Sequence, residues 1–185
     1  MVHVGGAREA ATPAARGIET VTLYHLSVFL HVMAALVWLG GIFFLALVGA
    51  PVLRRVDPPH LRARLFRELG ERFRWVGWGA IGVLLVTGGS NLHFRGLLSR
   101  EFLGDPAFWS GTPYGRALGW KLFFVITMLL NQGLHDFWLG PAAGRVDPGN
   151  PKGERLRRWA GGLARANGVI ALLLVYVAIR LARGG

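Results

Sequence analysis

His31-Val32-Met33-Ala34-Ala35-Leu36-Val37-Trp38-Leu39-Gly40-Gly41 places an ionisable imidazole inside an apolar run that extends from about Val21 to Leu53. A membrane span needs roughly 20 such residues, so this run is long enough to cross a bilayer with some tilt. Trp38 lies two helical turns beyond His31 on the same face, and a glycine pair follows it. An ionisable side chain at membrane depth is costly to keep without a partner, which makes it a functional-site hypothesis by default. The remaining helices are therefore read for what they offer to that histidine.

The whole composition agrees with a membrane location. Of 185 residues, 52% are hydrophobic and only 17% charged, where a soluble domain carries about a quarter. Mean hydropathy is +0.41. Seven Trp, eleven Phe and 27 Gly suit packed membrane helices with aromatic belts. The net charge of +11 does not point to nucleic acid, because the arginines sit at the ends of apolar runs, where cytoplasmic loops place them. The absence of cysteine excludes disulfides, thiolate metal sites and cysteine nucleophiles.

Four spans are expected, at about 22–52, 73–95, 117–139 and 159–181, forming an all-α transmembrane bundle over 21–183. Residues 1–20 read as a mobile N-terminal tail. Residues 54–72 follow Pro58-Pro59 with Leu61, Leu65 and Leu69 at spacing four among arginines, which predicts a short amphipathic segment on the membrane surface. The connection from Arg95 to Arg116 is rich in glycine, proline and aromatics and reads as interfacial. The loops after the first and third spans, with their flanks, hold most of the 21 Lys and Arg, which puts those loops in the cytoplasm and both termini outside.

Helical spacing then sorts the faces. On the second span, steps of three and four connect Trp75, Gly79, Gly82, Val86, Gly89 and His93, a flat strip ending in an imidazole. Close helix packing explains its glycines equally well. On the third span, the same steps connect Lys121, Phe124, Met128, Asn131 and His135, with Gln132 and Asp136 alongside. Lipid cannot satisfy such a stripe, so it must face protein, a ligand or water. With this topology His31, His93 and Lys121 meet in the outer leaflet. His135 lies 14 residues past Lys121, about 21 Å along the helix, in the cytoplasmic half.

Three readings of the site stay open. Two imidazoles from facing helices can hold haem iron, so His31 and His93 are candidate axial ligands of haem b, with Trp38, Gly82, Gly89 and Lys121 around it. Electron transfer with a quinone or another redox protein would follow, as in a haem-dependent membrane oxidoreductase. The same histidines could instead relay copper, although Cu(I) pathways favour Cys and Met and only Met33 and Met128 lie in the spans. Third, the polar groups could satisfy one another in a structural subunit of a larger complex. His25, nearer the interface, competes with His31 as ligand. His135 beside Asp136 reads first as a hydrogen-bonded pair anchoring the inner helix end, with Asn167 as a candidate partner, and second as a metal ligand.

These residues carry a family resemblance. Leu30-His31 through Trp38-Leu39-Gly40-Gly41 resembles the first core helix of the copper-resistance D family of bacterial inner-membrane proteins. Thr112-Pro113-Tyr114-Gly115-Arg116 with Trp120-Lys121-Leu122, and Leu134-His135-Asp136-Phe137, resemble further stretches of it. The resemblance implies copper uptake or homeostasis across the inner membrane. The helix-one histidine and the lysine opening the third helix are also similar to the four-span, oxygen-independent protoporphyrinogen oxidases. That second resemblance implies functional roles for His31 and Lys121 and the involvement of haem b. The oxidase family's charged pattern after the first helix is only partly present, so what the likeness implies is the fold, with activity left open.

Overall fold

The computed structural model describes residues 13–146 and 150–185, and among them every regular element is helical. Helix α1 is Pro13–Phe44, continued by a π-helical segment Leu45–Gly49 and by α2, Ala50–Leu53. Helix α3 is Pro59–Phe94. Two short helices, α4 (Arg100–Leu103) and α5 (Pro106–Gly111), lead into α6, Pro113–Gly133. A second π-helical segment, Leu134–Leu139, and α7, Gly140–Gly144, extend α6; α8 is Pro151–Ala182. Residues 1–12 of the expected N-terminal tail lie outside the described residues, and from Pro13 onward the chain is helical.

Both π-helical segments precede a proline. Pro51 and Pro141 have no N–H to donate, and their rings crowd the carbonyl four residues back, which is Leu47 or Phe137. Each of those carbonyls lies inside the widened turn. There the ladder shifts to i→i+5 bonds, Ala50 N–H to Leu45 O and Gly140 N–H to His135 O, and the helix passes the proline without breaking.

Three stretches are long and apolar enough to cross a membrane: Gly17–Leu53, Pro113–Ala143 and Pro151–Ala182. Large apolar side chains project outward along all of them, as in Leu47, Leu130 and Ile179, a pattern suited to a lipid bilayer and not to water. The segment expected as a second span falls outside this set. Gly77, Gly79, Gly82, Gly88 and Gly89 dilute its hydropathy, and it is the second half of a helix whose first half is basic. Nor does the chain break near Phe73: the amphipathic stretch and the apolar stretch are one helix of 36 residues. Its stripe Leu61, Leu65 and Leu69 is half-buried, and Leu69 approaches Gly49, so the stripe is partly covered by the end of the first helix.

Helix α1 packs along α3, and α6 along α8. The two pairs meet in a core of Ala34, Trp38, Ala80, Ile81, Met128 and Ala171, drawn from all four long helices. A second core joins Ala117 and Leu118 to Val177 and Leu181, under Leu92, Leu97 and Tyr114. Helix α3 is closed by Gly96 at φ +70°, with Gly96 N–H bonded to His93 O at 2.9 Å and Leu97 N–H to Leu92 O at 3.0 Å. This paired capping, with Leu92 and Leu97 in the same core, fixes the direction in which Arg95 leaves the helix.

Helix α6 opens on Thr112, whose Oγ1 accepts from Gly115 N–H at 2.9 Å, followed by Pro113, preset for a first helical turn. A Cβ on Gly115 would collide with the Phe108 carbonyl oxygen, so α5 and α6 can approach this closely only at a glycine. Gly115→Ala is expected to cost about 2–3 kcal/mol as an overpacked contact, and Gly96→Ala about 1 kcal/mol for its left-handed backbone. Thermal midpoints of the purified variants in mild detergent measure both; an unchanged midpoint for Gly115→Ala would show that the α5–α6 approach is not tight.

Candidate functional site

One cavity of about 420 Å³ lies among α1, α3, α6 and α8, within the size range of small-molecule and cofactor sites. Its walls are largely aliphatic, including Val28, Leu84, Leu118, Leu122, Val125 and Leu181. Its polar groups are His31, Asn91, Lys121, Arg95 and the hydroxyls of Tyr24 and Tyr114, and among the described residues no carboxylate lines it.

His31 is held by α3. The Thr87 hydroxyl donates its only proton to Val83 O at 2.6 Å, back-bonding into its own helix. Its oxygen is therefore an acceptor for His31 Nδ1–H at 2.8 Å. In the neutral ring this leaves Nε2 with a lone pair, the arrangement in which metal-binding histidines are usually oriented. Ser27 Oγ also donates to Thr87 O at 3.3 Å, so α1 is tied to one turn of α3 twice. Gly88 follows Thr87, and a Cβ there would stand 3.5 Å from His31 Cε1.

The mouth is built by Arg95. Its guanidinium donates to Tyr24 OH at 3.0 and 3.2 Å and to Tyr114 OH at 3.2 Å, and lies 6.0 Å from the centre of the Tyr114 ring. Thr112-Pro113-Tyr114-Gly115-Arg116 thus has a structural account: a helix cap, a first-turn proline, a tyrosine on the cavity, a glycine forced by close approach, and an arginine donating to Ser110 O at 2.8 Å. Half-buried Lys121 faces the same cavity and makes no ion pair or hydrogen bond among the described residues.

Of the residues expected at the site, His31, Gly89 and Lys121 line this cavity. His93 does not: it is exposed, beside Phe94, on the face that carries Trp75 (80% exposed) and Val86 (70% exposed). Gly82 is exposed on that side too, with open space around it. Trp38 is 3% exposed in the helix core near Gly77, and its Nε1 has no partner. His25 is exposed beside Tyr24, so of the two helix-one histidines only His31 reaches the cavity. The cavity face of α3 is instead centred on Leu84, Gly88, Asn91 and Arg95 and meets the glycine strip only at Gly89, with Thr87 behind the His31 ring. Thr87, Asn91 and Arg95 recur every four residues, a polar stripe that lipid cannot satisfy and hence a sequence signal for this side of the helix.

A second polar cluster sits far from the cavity along α6. Asp136, 5% exposed in the π-helical segment, accepts from Trp78 Nε1 at 3.0 Å, Gln132 Nε2 at 2.7 Å and His135 Nδ1 at 2.8 Å. Gln132 Oε1 in turn accepts from Asn167 Nδ2 at 3.0 Å. The His135–Asp136 pair forms as the sequence suggests, and Asn167 joins it through Gln132. Among the described residues no three of His, Cys, Asp and Glu come together as a metal-binding group.

Fold and site together define an α-helical membrane protein with a polar-headed, apolar-walled cavity between two helix pairs. The chain belongs to the copper resistance protein D (CopD) family, whose model matches residues 67–181. That match covers α3 from Arg67 through α8 and includes Arg95, Lys121 and Asp136, while His31 lies before it. A protein of Aquifex aeolicus (strain VF5), described as uncharacterized, is 34% identical over 165 residues, which is 89% of this chain and 99% of that one. No solved structure matches.

Asp136→Ala leaves two or three buried donors without an acceptor and is expected to cost about 2–4 kcal/mol, against about 1 kcal/mol for Trp78→Phe. Thermal or denaturant unfolding in detergent checks the order. Equal midpoints for the two variants would mean that Trp78 alone carries the cluster.

Proposed function

We propose that this protein is a four-span protein of the bacterial inner membrane that holds haem b in the cavity and passes electrons between a quinone and another redox partner. Helix α3 counts as the fourth span because Ala80 and Ile81 pack in the core shared with the three more apolar helices. The basic stretches at 54–72 and 145–165 would face the cytoplasm and both termini the outside.

The observation that carries the haem reading is His31, whose ring is fixed through Nδ1 by Thr87 on an apolar-walled cavity of cofactor size. The donor set fits one imidazole ligand, with Arg95 and Lys121 as cationic partners for two carboxylates. His93 lies off the cavity, so it is not the second ligand in this arrangement; were the Lys121 amine to take that place instead, Arg95 alone would be left to face a carboxylate. Bound there, haem would supply one-electron chemistry. The chain's own part is to hold the ligand, to neutralise the carboxylates and to keep water from the walls.

Copper handling is the second reading, favoured by the family match. Copper would then be cargo, because Met128 is buried in the core, Met33 is exposed, and His31 stands alone among histidines on the cavity.

A visible spectrum of the purified protein, oxidised and dithionite-reduced, with metal analysis of the same sample, separates the two. The haem reading expects a Soret band that sharpens on reduction, iron near one per chain, and loss of both in His31→Ala. Thr87→Val should retain the ligand but weaken haem binding by about 10–100-fold. A full haem complement in His31→Ala would falsify the ligand assignment, and a colourless protein carrying copper would favour the second reading.

A further inference from the structure

A groove of about 390 Å³ runs along the other side of the α6–α8 contact, separate from the His31 cavity. Helices α6 and α8 are antiparallel here, so the first turn of α6 meets the last turns of α8 and brings Arg116 and Arg180 to one end of the groove. No aspartate or glutamate lines it, and among the described residues neither guanidinium forms an ion pair. Arg116 is held in place by its bond to Ser110 O at 2.8 Å, which leaves its other nitrogens to a ligand. Below the arginines the groove is apolar, with Phe124 and Leu173 in its wall. Trp120, stacked on Phe124 at 5.7 Å, and Tyr176 flank it and are both mostly exposed, as aromatic side chains at a headgroup level are.

Two cations with no ion pair among the described residues, above an apolar channel on the outside of a membrane helix pair, match an amphiphile with an anionic head. We propose that this groove binds one phospholipid with a net-negative phosphodiester headgroup, its phosphate between Arg116 and Arg180 and an acyl chain along Phe124 and Leu173. Phosphatidylglycerol has that chemistry; phosphatidylcholine carries the same phosphate but a compensating cation.

The full chain, reconstituted in nanodiscs of equimolar phosphatidylglycerol and phosphatidylcholine and then stripped with mild detergent, is analysed by native mass spectrometry. One tightly held lipid per chain is expected, with about a tenfold preference for phosphatidylglycerol. The double variant Arg116→Gln with Arg180→Gln should lose the preference, Arg116→Lys with Arg180→Lys should keep most of it, and Arg100→Gln, on α4 outside the groove, should leave it unchanged. Equal retention of both lipids by the unmodified chain overturns the proposal, and that measurement decides alone if the glutamine variant does not fold. Thermal midpoints with added lipid or inorganic phosphate distinguish a lipid site from a small-anion site: phosphatidylglycerol raises the midpoint and phosphate does not. An equal rise with phosphate overturns the lipid assignment.

Discussion

Asp136 imposes the strictest condition on this fold. A carboxylate buried in a membrane helix needs every oxygen satisfied from within the protein, because hydrocarbon offers no donor. Its two oxygens take hydrogen bonds from the indole of Trp78 on α3 and from Gln132 and His135 on the α6 segment. Gln132 then takes Asn167 from α8. Three long helices are thereby fixed in rotation and height by directional contacts, which greasy side chains cannot do, since lipid tails are as apolar as leucine. The remaining long helix is tied separately, through Ser27 and His31 to Thr87.

The same rule gives opposite results at the cavity. There the polar groups are cationic or neutral, and among the described residues no carboxylate lines the walls and Lys121 has no acceptor. Among the described residues the Arg95 guanidinium donates only to tyrosine hydroxyls. One polar cluster satisfies its buried carboxylate from within and holds helices together, with the Asn167 Oδ1 left without a partner among the described residues. The other is left open around a space of cofactor size, and it is the open one that invites a ligand of complementary charge.

Much of the architecture could be read from the residues. The apolar run around His31 and the polar stripe Lys121–His135 both indicate helices at membrane depth, and the structure has them. The pairing of His135 with Asp136 was visible because adjacent residues need no tertiary information. The face of α3 was not. Its glycines occur on two sides of the helix, and periodicity alone cannot say which side is packed; Ala80, Ile81 and Thr87 decide that through contacts with other chain segments. The glycine strip therefore points to His93, whereas Arg95, two residues on, is the side chain that reaches the cavity. The continuity of α3 through Phe73 was hidden for a similar reason: an amphipathic half and an apolar half carry different signatures, but nothing in either breaks a helix.

The two widened turns before Pro51 and Pro141 have a further consequence for how this chain tolerates change. A π-helical turn is one surplus residue in an otherwise regular ladder, equivalent to about 100° of helical phase. Elsewhere in these helices a one-residue insertion or deletion would swing every later side chain to a new direction. At 45–49 and 134–139 one surplus residue is already absorbed, so these are the places where a single residue can be removed while the faces on either side keep their orientation. The second of them holds Asp136, whose bonds to Trp78 and Gln132 set the local phase and leave any such removal to its apolar neighbours.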